Sequence, residues 1–309
     1  MKRIVLVLGL LIWAGVMMGI RIVDAKGMEH NYSYEYFRKL PQTETVSFST
    51  KGEVTKKNTW KGYRFDKWLQ SMDLGSFRNL RLESEDRYMV SLTRSEIDTT
   101  ECWIVFNRNG EDLNEENFRI IFPRLRELYW IKSPNLIVLE DFQSLGLPKT
   151  FLFMSQQLNN LELCKDPDPF KDIQGYKVDD LFRKVFQVDA ADVVMVSADG
   201  LKIRLSYPKH LEGAVLELRE DNSLNLKSPQ IPGGMWIADI VYIQAGNTAL
   251  ISDKGRSQLI DLALKLEWKL SPKNEVLLLS ATAQSVSSLN ELMSMDSIDD
   301  SLQGFSIQP

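Results

Sequence analysis

Two cysteines and two histidines, Cys102, Cys164, His30 and His210, limit the chemistry open to this 309-residue chain. A tetrahedral zinc site would consume all four, and no two of them lie at ligand spacing. The count also excludes a disulfide-built scaffold and any multi-histidine centre. His210 follows Tyr207-Pro208-Lys209, a loop signal, and reads as a solvated loop residue, with a general base as the alternative. His30 reads as a surface residue, and Cys102, in the run Cys102-Trp103-Ile104-Val105-Phe106, as a small buried hydrophobe. Asp296, Asp299 and Asp300 lack the glycine and closing glutamate of a calcium loop. No serine sits in G-x-S-x-G, and Gly233-Gly234 is too short for a phosphate loop. Asp86 and Asp199 recur in one context, Ser84-Glu85-Asp86 and Ser197-Ala198-Asp199-Gly200. A shared site is one reading; a shared turn, in which short polar side chains bond nearby backbone, accounts for the recurrence fully.

That recurrence belongs to a larger repeat. Gly62-Tyr63 aligns with Gly175-Tyr176, and Ser84 with Ser197, both at an offset of 113. Trp130-Ile131 aligns with Trp236-Ile237 at 106, so the second copy is shorter in its middle. In each copy an opening strand (Thr45 to Ser49; Leu158 to Leu163) leads through a loop into a Gly-Tyr turn. A short helix follows, its apolar face Phe65, Trp68 and Leu69, or Val178, Leu181 and Phe182. Next come paired strands beginning Leu80-Arg81-Leu82 and Val193-Val194-Met195-Val196, joined through the Ser-x-Asp turn. Short strands with sparse helices predict an α+β fold of two repeated mixed units. Arg256 to Leu270 carries a helical stripe that reads as docked on the second core, and Val276 to Leu279 as the last strand.

The ends differ from the body. Lys2-Arg3, the uncharged run Ile4 to Ile20 and Val23-Asp24-Ala25 before Lys26 have the pattern of a secretory signal. The alternative is an anchor formed by residues 4–20. Either way the body is exported, to the periplasm or cell envelope. The expected division is 1–25 signal, 26–142 first unit, 143–284 second unit and 285–309 a flexible acidic tail. No second long apolar run exists, which excludes a multi-span membrane domain. The net charge of −5, and of −7 once Lys2, Arg3, Arg21 and Asp24 are removed, argues against nucleic-acid binding.

The order of motifs resembles the oxidoreductase molybdopterin-binding domain of sulfite-oxidase-like proteins. The first unit shows Trp60-Lys61-Gly62-Tyr63, Ser84-Glu85-Asp86, Asn109-Gly110-Glu111-Asp112-Leu113, Ile120-Ile121-Phe122-Pro123 and Trp130-Ile131. The second shows Gly175-Tyr176, Ser197-Ala198-Asp199-Gly200 and Trp236-Ile237-Ala238-Asp239-Ile240. The resemblance covers residues 45–245 and implies that family's fold. It also implies a cysteine thiolate ligating molybdenum at the end of the opening strand. Cys164, eleven residues before Gly175, occupies that place, whereas the first unit has Lys51 there. Cys164 is thus the candidate metal ligand and cofactor-binding residue. Against that role, Lys165-Asp166-Pro167-Asp168-Pro169 is acidic on balance, and Gly233-Gly234-Met235 precede the closing Trp236 where the family often has a cation. The signal also lacks the twin-arginine pair that exports folded, cofactor-loaded proteins. The expectation is therefore a binding protein of the envelope with no cofactor, its partner an envelope protein or a small organic ligand. The alternative is a molybdopterin-dependent oxidoreductase using Cys164.

Overall fold

A computed structural model describes residues 19–51, 54–140, 145–280, 284–296, 298–299 and 301–308. The fold is α+β, and the described residues form sheets of five, six, eight and four strands. No α-helix among these residues exceeds seven residues, and none is long and apolar enough to cross a membrane.

The duplication is visible in the strand order. The first large sheet runs Glu29–Ser33, Gly19–Val23, Pro134–Glu140, Asn79–Ser84, Met89–Thr93. In the second, Thr150–Phe153, Thr248–Ile251, Ile240–Ala245, Ala191–Ser197 and Lys202–Tyr207 take the same five places. The place beside Pro134–Glu140 is filled in parallel by Gly19–Val23, and the matching place beside Ile240–Ala245 is filled antiparallel by Thr248–Ile251. One slot is thus occupied from opposite ends of the two units. The smaller sheets match likewise: Thr43–Lys51, Val54–Arg64, Trp103–Arg108 and Arg119–Ile121 correspond to Leu163–Lys165, Gln174–Lys177, Val215–Leu218 and Leu224–Lys227.

The repeated residues do repeated work. A Cβ on Gly62 would lie 2.1 Å from Ile104 O, and one on Gly175 2.5 Å from Leu216 O, so each glycine lets two strands meet. Trp130 Nε1 donates to Phe122 O at 2.9 Å, and Trp236 Nε1 to Ser228 O at 3.1 Å, each eight residues back. Ser84 and Ser197 each donate a hydroxyl hydrogen bond to the aspartate two residues on. The turn reading of Asp86 and Asp199 therefore holds.

Three sequence expectations need correction. Residues 285–309 are not a loose tail: Leu302–Ile307 inserts between Thr150–Phe153 and Glu275–Ser280. Its Phe305 is fully buried and stacks on Phe151 at 4.7 Å, an anchor hidden among serines and glutamine. The second unit's opening strand is only Leu163–Lys165, because Leu158 ends the helix Met154–Leu158. The first unit begins at Gly19, seven residues before Lys26, and a cut after Ala25 would remove its strand Gly19–Val23. Residues 1–18, most of the expected signal, lie outside the described residues. The stripe from Arg256 docks as expected, split into Asp253–Ser257 and Leu259–Lys265, with Leu259, Leu262, Ala263 and Leu266 buried.

Candidate functional site

The two large sheets end on equivalent strands. Met89–Thr93 and Lys202–Tyr207 are the outer strands of their sheets, and they approach one another along a seam between the units. An outer strand has one row of backbone groups without a ladder partner. Here Met89 N–H donates across the seam to the Met235 thioether at 3.2 Å, a weak acceptor.

A cavity of about 480 Å³ opens along this seam, within the range typical of small-molecule sites. Its apolar lining comes from both units: Tyr88, Met89, Leu128 and Tyr129 from the first, Met235 and Trp236 from the second. Four cationic residues, Arg81, Arg126, Lys202 and Arg204, line it with two carboxylates, Asp199 and Asp239. Tyr88 is fixed by its hydroxyl, which donates to Leu128 O at 2.7 Å.

Ion pairs tie the seam together. Glu140 accepts from Arg81 Nε at 3.1 Å and from Arg204 at 2.7 Å, so one carboxylate joins the two units. All three side chains are mostly buried, and a buried pair broken by losing one partner is costly. Arg204 also donates to Asp192 at 2.9 Å. At the rim Arg126 pairs with Asp199 at 2.8 Å, both well exposed. The Ser197 hydroxyl first, and Arg126 second, hold the Asp199 carboxyl down at about 2.

The candidate residues read from the sequence lie apart from this seam. Cys164 sits on Leu163–Lys165 opposite Gly175, half-buried, its Sγ 3.8 Å from Glu162 O. An open cleft of about 970 Å³ flanks that strand, lined by Lys165 and Arg219 against Asp166, Asp172, Glu217, Glu220, Asp221 and Asp239. Cys164 is not part of its lining. Lys51 ends the corresponding strand of the first unit. Cys102 is fully buried, and burial pushes its thiol well up. Its carbonyl accepts from Phe65 N–H at 2.8 Å, at the start of the helix Phe65–Ser71.

His210 differs from expectation, whereas His30 stays partly exposed on an edge strand. His210 is buried, not solvated: its Nδ1 accepts from Ser206 N–H at 2.9 Å, which leaves the proton on Nε2. Burial first, then Lys209, Arg81 and Arg87, push it down to about 4. The turn folds back onto the second core, so the ring closes the turn. His30 Nε2 lies 3.0 Å from Oδ2 of Asp24, whose side chain is buried and whose Oδ1 accepts from Lys26 and Met28 N–H. The seam residues Arg81 and Arg204 escaped the sequence reading because each sits between apolar strand residues. Alternation makes such a charge look like one on a solvated face. The usable signal was their place on the two repeat-equivalent hairpins.

No family model matches the chain, and no curated protein matches it. Among solved structures, the sulfane dehydrogenase SoxCD from Paracoccus pantotrophus is similar at a TM-score of 0.35 and 10% identity. The match covers 93% of this chain and 62% of that one, so the chain spans under two thirds of that neighbour's length.

Proposed function

We propose that this is a non-catalytic binding protein, exported to the cell envelope, that holds a small organic ligand between its two units. The observation that carries the reading is the seam cavity, apolar in body and lined by paired charges, to which both repeats contribute walls. Export is supported by the N-terminal charge, apolar run and small-residue pattern. The repeated motifs support descent from a molybdopterin-binding fold.

The cofactor of that family does not fit the site around Cys164. A molybdopterin carries a phosphate and an oxo-metal centre, which call for positive donors. The neighbouring cleft offers six carboxylates against two cations, and the thiol does not line it. No catalytic step is therefore assigned to Cys164.

Protein purified from its native envelope tests both readings. Native mass spectrometry is expected to show a small-molecule adduct released on denaturation, with molybdenum far below one per chain. Stoichiometric molybdenum that vanishes in Cys164→Ser would overturn the proposal in favour of the oxidoreductase.

A further inference from the structure

The two repeats build one corner from different residues. In the first unit Arg119 and Lys132 are register partners on neighbouring antiparallel strands, so their side chains share a face. The bond from Ser133 N–H to Phe118 O makes theirs the non-hydrogen-bonded pair, with Cβ atoms about 5 Å apart. At the repeat offset of 106 the counterparts are Asn225 and Ala238, and Asp239 takes the place of Ser133. Ser133 and Asp239 share a left-handed backbone, with φ of 45° and 49°. In the second unit the corner satisfies itself. Asp239 N–H donates to Asn225 Oδ1 at 2.9 Å, and the Asp239 carboxylate accepts from Lys254 at 2.7 Å.

The first unit's corner has no such closure among the described residues. Arg119 is half-buried and Lys132 exposed, and neither side chain has a hydrogen-bond or ion-pair partner. The buried hydroxyl of Ser133 also lacks a partner. Burial first, then Arg108, push the Arg119 guanidinium down, against a pull from Glu127. Like charges directly opposite one another destabilise a sheet, and here nothing in the fold offsets them.

These residues line a cleft of about 1030 Å³ together with Tyr34, Phe118 and Trp130. It shares only Tyr88 with the seam cavity. Its carboxylates are committed or turned to water. Glu83 pairs with Arg81, Asp86 accepts from Ser84 and from Tyr88 N–H, and Glu85, Glu115 and Glu116 are exposed.

We infer that this corner binds a phosphate-type oxyanion between Arg119 and Lys132. Two unopposed cations match a doubly charged group better than a single carboxylate. The guanidinium supplies a forked donor and the ammonium a point charge. The aromatic wall leaves room for an organic body, so free phosphate and a phosphate ester are the two sources of this chemistry.

Calorimetric titration of the purified protein with inorganic phosphate, in chloride of matched ionic strength, tests the site. One phosphate per chain should bind. Arg119→Asn, the residue found at the equivalent place in the second unit, and Lys132→Gln should each weaken it about tenfold, the size of one charge-assisted contact. Lys273→Gln, an exposed cation of the second unit, should leave it unchanged. Without phosphate, Lys132→Gln should melt no lower than the parent, because it removes a like-charge contact. Lys132 is exposed, so its variant keeps the test available if Arg119→Asn misfolds. Phenyl phosphate binding more tightly than phosphate would assign the corner to an ester, and equal binding to the free ion. Absence of phosphate binding would overturn the site. So would a Lys132→Gln variant that melts lower yet binds phosphate as the parent does, since the lysine would then serve only the fold. Neither result touches the seam, which lies in a different cavity.

Discussion

His210 shows how far a residue's role can depart from its sequence setting. Its neighbours Pro208 and Lys209 signal a loop, yet the ring is buried with Nδ1 on Ser206 N–H. Its folded value of about 4 lies below the ordinary imidazole value of 6.5, so the unfolded chain binds the proton more readily. Stability from this group is therefore complete above 6.5 and is lost as the pH falls toward 4. The loss is about 2 kcal/mol by pH 5, from the ordinary slope of 1.36 kcal/mol per pKa unit. Urea midpoints at pH 8 and pH 5 should show that difference, and His210→Gln should shrink it. A variant with an unchanged pH response would remove the histidine from the account. The two cysteines separate as sharply. Cys164 is half-buried and Cys102 fully buried. A thiol reagent should label one cysteine per native chain, at Cys164, and a second only after denaturation. Labelling of both in the native state would contradict the packing of Cys102. The inert character of Cys102 was legible because its whole neighbourhood is apolar. The burial of His210 was not, because it depends on chain folding back from elsewhere.

At the level of elements, the strands with clear alternation were legible. Met89–Thr93 and Lys202–Tyr207 appear where the alternation of Tyr88, Val90 and Leu92, and of Leu201, Ile203 and Leu205, puts them. Leu158, Leu161 and Leu163 suggested the same pattern and misled, since Leu158 closes a helix and Leu161 follows a turn. Three leucines do not separate a strand from a helix end that continues into a buried loop. The repeated glycines make a stricter test, because their role is steric. Gly62→Ala and Gly175→Ala would each drive a methyl into carbonyl oxygen and strand backbone. Each should cost about 2–3 kcal/mol, the range of an overpacked core. Gly146→Ala, with no atom within 4 Å of the added methyl, should stay within about 0.5 kcal/mol of the parent. Denaturant unfolding measures all three. If Gly62→Ala and Gly146→Ala unfold alike, the close approach of the strands at Gly62 is not what the repeat preserves.

Across the whole molecule, the unit count was legible and its edges were not. Repeated motifs reveal two copies because each copy must solve the same packing problem. The segments outside the repeat carry no such signal, so Gly19–Val23 was merged with the signal and Leu302–Ile307 with a tail. Gly19–Val23 lies between Glu29–Ser33 and Pro134–Glu140, with Ile20 and Ile22 almost wholly buried. Fully burying an isoleucine contributes about 1.5–3 kcal/mol, so the pair supplies about 3–6 kcal/mol before any ladder hydrogen bonds are considered. Domains of ordinary stability have about 5–15 kcal/mol in all. Removing residues 1–25 should therefore strip a large share of the first unit's stability and leave two strands facing an empty slot. A chain starting at Gly19 should melt cooperatively, and one starting at Lys26 should melt at least about 10 °C lower or lose its cooperative transition. Calorimetry on the two forms, beside the N-terminal mass of the protein from its native host, connects processing to folding. A natural N-terminus at Lys26 with an undiminished melting temperature would show that the slot tolerates vacancy. A natural N-terminus at or before Gly19 would mean that the small residues Val23 and Ala25 serve the fold, and that the apolar run available for export or anchoring ends short of the strand.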